Sequence, residues 1–339
     1  MDAFKPLIAK VAAGLPLSTS EAEMAFSQIL SGESTPAQTA AFLMALRVRG
    51  ESTDEIRGAV KAMRAKMNAV TPFPGAIDVV GTGGDGSGSW NVSTLAGLIV
   101  AACGVPVAKH GNRAASSKSG TADVLQALGV KIGLTPAGVS AVLARAGFAF
   151  MLAPAHHPAM RHVAPVRTEL GTRTIFNLLG PLSNPAQVSR ILLGVFAPSW
   201  LMPIAETLRD LGTERAWVVH GSDGLDEITT TGPTEIAELR DGRITRFTIT
   251  PADAGLPVAD PEALKGGEPG QNAEALQAVV KGAKNAYRDI GILNAAAALL
   301  VADKASDLKE GAQLAAEALD SGKVARLLAE VVAASNAES

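Results

Sequence analysis

The sequence predicts an α/β protein: a small N-terminal helical domain, then a larger α/β domain with a mainly parallel central sheet flanked by helices. Three observations carry this. Helix-capping boxes crowd the N-terminal region and no strand pattern interrupts them. From residue 76 onward, short apolar runs alternate with helical segments, as βαβ units do. Between the two regimes, TPFPG at 71–75 breaks the pattern and reads as a boundary. The expected division is therefore 1–72, joined by helices from about 165–185, and 73–339.

Each element follows from local chemistry. Ser18-x-x-Glu21, Thr35-x-x-Gln38 and Ser52-x-x-Glu55 can each close two orphan amides at a helix start. Pro36 sits at a first helical position, where its missing N–H costs nothing, and the helix it opens runs to Gly50. The strands expected next are IDVV, VPVA, FAFMLA, RILLGVF and AWVVH, with VSTLAGLIVAACG and TADVLQALG as helices between the first three. TEIAELRDGRITRFTIT reads as a hairpin turning at Asp241-Gly242. The C-terminal region, including ILNAAAALLVA and KVARLLAEVV, returns to helix.

The bulk numbers exclude several classes. With 47% hydrophobic and 19% charged residues this is ordinary globular composition. A near balance of 30 basic and 33 acidic residues argues against nucleic acid as the main partner, which normally requires a basic face. No run approaches the roughly 20 apolar residues of a membrane span. The N-terminus lacks a signal-peptide pattern, so the expected setting is the cytoplasm. Cys103, the single cysteine, rules out an internal disulfide and reads as a buried structural thiol.

Chemistry concentrates in four polar loops that leave strand ends, and in an open parallel sheet such loops gather at one cleft. The first is GTGGDGSGSWNVST, from Gly81 to Thr94. Gly81-x-Gly83-x-x-Gly86 matches the dinucleotide fingerprint, yet no Asp or Glu lies between Asp85 and Asp123 to hold a ribose. Gly83-x-x-x-x-Gly88 resembles a P-loop, but Ser89-Trp90 stands where Lys-Ser/Thr belongs. What remains is an anion cradle or a plain glycine turn. The second loop, AKHGNRAASSKSGT, packs Lys109, Arg113 and Lys118 among hydroxyl residues, which suits phosphate or pyrophosphate. In the third, His156-His157 suggests metal but lacks a third ligand at suitable spacing, while Arg167 and Arg173 are candidates for a carboxylate. The fourth carries Asp226-Glu227, adjacent acids at a strand end that suit Mg²⁺. Together they describe a site for a sugar or nucleotide pyrophosphate with Mg²⁺ and a small second substrate.

In this order, GTGGDGSGSWNVST, KHGNRAASSKSGTADVLQALG, HHPAMRHVAPVRTELGTRTIFNLLGPLSNP and DGLDE closely resemble the anthranilate phosphoribosyltransferase family of tryptophan biosynthesis. The resemblance implies the nucleoside phosphorylase/phosphoribosyltransferase type of fold and a homodimer assembled through the helical domain. It implies joining of anthranilate to 5-phosphoribosyl 1-diphosphate with release of pyrophosphate, using Mg²⁺, with two ions per subunit expected. By motif, Gly81, Gly84, Asp85, Ser89, Asn91, Val92, Ser93 and Thr94 would hold the diphosphate compound. Lys109, His110, Gly111, Asn112, Arg113, Ala114, Ala115, Ser116 and Ser117, with Thr121, would close over it. Ser93, Asp226 and Glu227 would bind Mg²⁺, and Gly81, Asn112, His157 and Arg167 would meet anthranilate. His157 either orients the acceptor or takes its proton. Trp90 and Thr121 stand where the family commonly has Phe and Ser, keeping an aromatic ring and a hydroxyl. The rivals are a pyrimidine nucleoside phosphorylase, which would not need Mg²⁺, and a non-catalytic nucleic-acid-binding paralogue.

Overall fold

The computed structural model describes residues 4–114 and 118–338. Four helices come first: α1 (Lys5–Ala12), α2 (Thr19–Ser31), α3 (Pro36–Arg49) and α4 (Thr53–Ala65). All three expected capping boxes are formed, with Ser18, Thr35 and Ser52 as N-caps. Each satisfies two amides that would otherwise face solvent unpaired, a gain of about 1 kcal/mol per cap.

The α/β part runs β1 (Ile77–Gly81), α5 (Val92–Ala102), β2 (Val107–Gly111), α6 (Thr121–Ala127), α7 (Pro136–Ala146) and β3 (Phe148–Leu152). The chain then makes three short helices, α8 (Ala153–His156), α9 (Ala164–Leu170) and α10 (Phe176–Leu182), before β4 (Arg190–Gly194), α11 (Leu201–Asp210) and β5 (Arg215–Gly221). The hairpin β6 (Thr234–Arg240) and β7 (Arg243–Ile249) follows, then α12 (Pro269–Val280), α13 (Ala286–Val301), α14 (Leu308–Asp320) and α15 (Lys323–Ala337). Asp241 and Gly242 turn the hairpin with φ of 51° and 74°, the doubly positive geometry that an Asp-Gly pair supplies.

One seven-stranded sheet has the order β3-β2-β1-β4-β5-β6-β7; the first five strands are parallel and the last two antiparallel. After β3 the chain returns to the other side of β1, so β1 and β4 mark the switch point where ligand crevices form. Alternate side chains feed two cores. Val79, Leu192 and Trp217 pack with α5 and α13, while Val80, Leu193 and Val218 pack with α11 and the N-terminal helices. Val163, Ile175, Phe176, Leu178, Leu179 and Leu182 belong to that second core, so the stretch around α9 and α10 shares its apolar interior with α1–α4. Cys103 is half-buried rather than fully enclosed, with its thiol against the Leu314 carbonyl. Among the described residues no helix is long and apolar enough to cross a membrane.

Candidate active site

At the carboxyl ends of the parallel strands lies a cleft of about 630 Å³, and all four polar loops line it. Its placement starts with two glycines. Gly81 ends β1, Gly194 ends β4, and the two are in register. A Cβ on Gly81 would meet the Asp226 carboxylate, and one on Gly194 would overlap the Asp226 main chain. The bare strand ends are what let the Asp226–Glu227 loop settle onto the sheet. Gly83, Gly84, Gly86 and Gly88 then follow with φ between 62° and 77°, a winding closed to most side chains.

This arrangement buries charge. Asp226 Oδ2 accepts the Gly83 N–H at 2.6 Å, and Glu227 Oε1 accepts the Ser93 N–H at 3.1 Å. Burial pushes Asp226 well above the usual carboxylate range, with Asp85 and Glu227 adding like-charge repulsion. Burial also lifts Glu227 to about 7, against the pull of Lys109. Lys109 itself is fully buried; its ammonium donates to the Val79 carbonyl at 2.5 Å and to Ser93 Oγ at 3.2 Å. Burial lowers its pKa, while Asp78, Glu227 and Asp226 oppose that.

Beneath it, Asp78 accepts the His110 N–H at 3.2 Å and the Asn184 amide at 2.7 Å, and burial raises it to about 6. Sequence reasoning does not single out Asp78, although an acid inside the apolar run IDVV is a readable signal.

Both phosphate-candidate loops are braced. Asp123 accepts the Ala114 and Gly120 N–H groups at 3.0 and 3.1 Å and pairs with Arg113 at 2.7 Å. Although burial alone would raise Asp123, these donors hold it below its ordinary value. Thr94, buried, bonds Thr121 Oγ1 at 3.3 Å, which ties the loops together behind the cleft rather than lining it. Gly81, Gly84, Asp85, Ser89, Asn91, Val92, Ser93, Lys109, His110, Gly111, Asn112, Arg113, Ala114 and Thr121 all line the cleft. Ala115, Ser116 and Ser117 lie outside the described residues.

Part of the lining is apolar. Met63 of α4, Val80, Pro154, Pro158, Met160 and Phe176 wall it, with His157, Asn177 and Arg167 at its edge. Met63 brings the helical region into the site, which sequence reasoning does not anticipate. The Arg167 guanidinium lies 5.8 Å from the Phe176 ring centre, and burial lowers its pKa. Arg173 is not in the lining; it lies over the Phe196 ring at 4.4 Å and against Gly84. His156 and His157 are both buried, and among the described residues no three His, Cys, Asp or Glu side chains gather around a metal position. His156 instead donates through Nδ1 to the Asn68 carbonyl at 2.9 Å, while the Asn68 N–H returns to the His156 carbonyl at 2.7 Å.

His110 and His157 stand with ring centres 5.1 Å apart. His110 Nδ1 donates to the Gly180 carbonyl at 3.1 Å, so its Nε2 carries the lone pair. Burial depresses His110 to about 3 and His157 to about 4. Both are neutral when folded but would protonate near 6.5 when unfolded, so the stability they allow is present above about 6.5 and lost as pH falls toward the folded values. The buried acids titrate the other way, so the comparison must be differential. His157→Gln should gain about 1–2 kcal/mol on wild type between pH 8 and pH 5 in paired thermal melts. A pH-independent difference would refute the assignment.

The chain matches a glycosyl transferase family model in two parts, the helical bundle domain at residues 5–67 and the a/b domain at 74–325. Fold and site thus define a two-part glycosyl transferase. The chain is 63% identical to the anthranilate phosphoribosyltransferase of Beijerinckia indica subsp. indica, over 100% of this chain and 99% of that one. It belongs to the anthranilate phosphoribosyltransferase family. The crystal structure of that enzyme from Thermus thermophilus superposes with a TM-score of 0.93 at 46% identity, covering 99% of this chain and 100% of the other. The Saccharomyces cerevisiae enzyme in complex with PRPP and Mg gives 0.90 at 29% identity, with 98% of each chain covered. The same yeast enzyme in complex with 4-fluoroanthranilate gives 0.87 at 27%, covering 98% of this chain and 99% of the other.

Proposed function

We propose that this cleft transfers the phosphoribosyl group of 5-phosphoribosyl 1-diphosphate to the amine of anthranilate, releasing pyrophosphate. The observation that carries the reading is that two chemically unlike sets of residues line one cleft. Glycine amides, Lys109 and hydroxyls suit a pyrophosphate and ribose; Met63, Phe176 and Pro158 beside Arg167 suit a flat aromatic carboxylate. A nucleoside phosphorylase has no use for the buried acids beside the first set.

Asp226, Glu227 and the Ser93 hydroxyl would hold Mg²⁺, two ions per subunit, with Asp85 close by. The fit rests on the donor set: hard oxygens, and carboxylates whose pKa values are raised by burial and by one another, which a cation would relieve. Bound there, Mg²⁺ supplies charge to offset that developing on pyrophosphate.

The chain's own groups do the rest. The amides of the glycine loop and the Lys109 ammonium would offset charge on the departing phosphates, while Arg113, paired with Asp123, braces the second loop beside them. Asn112 and Gly81 lie where the two substrates meet. Arg167 takes the anthranilate carboxylate and His157, neutral, orients the amine. The C1–oxygen bond breaks, the C1–nitrogen bond forms from the opposite face, and the amine sheds one proton. An arylamine is a weak nucleophile, so holding it in line contributes heavily. The region 1–72, with the helices of 165–185, forms the surface for pairing with a second copy.

The test is to mix protein, anthranilate, 5-phosphoribosyl 1-diphosphate and Mg²⁺ and follow anthranilate fluorescence. Loss that requires all components supports the reading; none from folded protein overturns it.

A further inference from the structure

Asn272 lies outside the cleft, at the start of α12, and is 1% exposed. Its side-chain oxygen accepts the Gly267 main-chain N–H at 2.7 Å. A main-chain amide can only donate, so the orientation of the Asn272 carboxamide is decided at that contact. Its Nδ2 therefore faces Asn91, donating to Oδ1 at 2.8 Å. That in turn points the Asn91 Nδ2 at the Ser119 carbonyl, 3.3 Å away, while the Ser119 hydroxyl returns to Asn91 Oδ1 at 3.4 Å. The relay begins on a group that only donates and ends on one that only accepts, so neither carboxamide can flip without breaking it.

The rest of the 261–272 segment braces the loop just before Asn91. Gly266 N–H donates to the Gly88 carbonyl at 2.8 Å, and Trp90 N–H to Leu264 at 3.1 Å. Trp90 stacks on Tyr287 with ring centres 5.4 Å apart, and the Tyr287 hydroxyl donates to the Asn91 carbonyl at 3.1 Å. Asn91 and Ser119 line the cleft from the two phosphate-candidate loops.

We infer that Asn272 is a positioning residue for 5-phosphoribosyl 1-diphosphate: by fixing the amide orientation of Asn91 it sets how the glycine loop and the Ser119 side of the second loop present their donors. This rests on the substrate assignment proposed above. It acts on the polar set of residues and leaves the apolar set alone.

Two substitutions separate orientation from simple bracing. Asn272→Asp keeps the volume and still accepts from Gly267, but it cannot donate and forces the Asn91 amide to turn. Asn272→Leu is neutral and removes both bonds; Asn272→Ala replaces it if the leucine variant does not fold. Affinity for 5-phosphoribosyl 1-diphosphate with Mg²⁺ is measured by calorimetry, alongside both KM values and thermal melts. Both variants are expected to bind it about tenfold more weakly. The KM for anthranilate should be unchanged, and the aspartate variant, which buries a carboxylate, should melt lower than wild type yet stay folded at the assay temperature.

Weakening by the leucine variant alone would mean a brace on Gly267, and by the aspartate variant alone a charge effect; either result overturns the inference. So does unchanged affinity in both variants while wild type binds. Wild type that fails to bind would sink the substrate assignment instead.

Discussion

Replacing Asp226 by Asn and Glu227 by Gln together is expected to cut turnover by about 10²–10³ and abolish its Mg²⁺ dependence. The same change should leave the protein no less stable, and above pH 7 somewhat more so. The two outcomes share one cause. Each amide keeps an oxygen to accept the N–H of Gly83 or Ser93, so the loop retains its anchors. What disappears is like charge confined with Asp85 in a buried space, the condition that raises both pKa values. Without a cation that charge is a cost to the fold, and with one it is the binding energy. Steady-state rates across a Mg²⁺ titration, with melts in chelator, test both halves. Turnover and Mg²⁺ response like wild type would remove these acids from the metal site.

The second large effect separates two glycines that occupy equivalent places on neighbouring strands. Gly194→Ala should destabilise the fold by about 3 kcal/mol or more, because its methyl would overlap the main chain of Asp226, which has nowhere to retreat. Low soluble yield or a strongly lowered melting temperature is the expected observation. Gly81→Ala meets the Asp226 carboxylate instead, and a side chain can rotate. That variant should fold, melt near wild type and lose activity because the acid has been turned away. Equal melting temperatures for the two variants would refute the distinction.

Much of the fold can be read from local chemistry because it is locally determined. Ser18, Thr35 and Ser52 announce their helices through partners three residues on, and Asp241-Gly242 announces the hairpin. The four loops are readable as a site because strand ends of a parallel sheet converge whatever their sequence. Other features depend on residues far apart in the chain. Gly194 sits inside the apolar run RILLGVF, and its need for a missing side chain exists only once Asp226 lies on it. Asp78 finds Asn184, 106 positions away. The stretch around Pro261 to Gly270 carries no sequence signal for its role, yet it bridges to Ser89 and bonds Gly88 and Trp90. Met63 is buried in the core of the helical region while also walling the cleft, a contact set by packing and not by any local pattern.

The central place of β1 has a consequence for the order of events in folding. Its neighbour β4 enters the chain only after the whole β2–β3 excursion, and the acid that bonds Gly83 lies 143 positions beyond it. Helices and capping boxes can form as soon as their residues exist, whereas closing so long a loop is slow. The cleft is thus completed only after this long closure, and a chain that stops short of Asp226 has the glycine loop without either of the two acids that settle onto it.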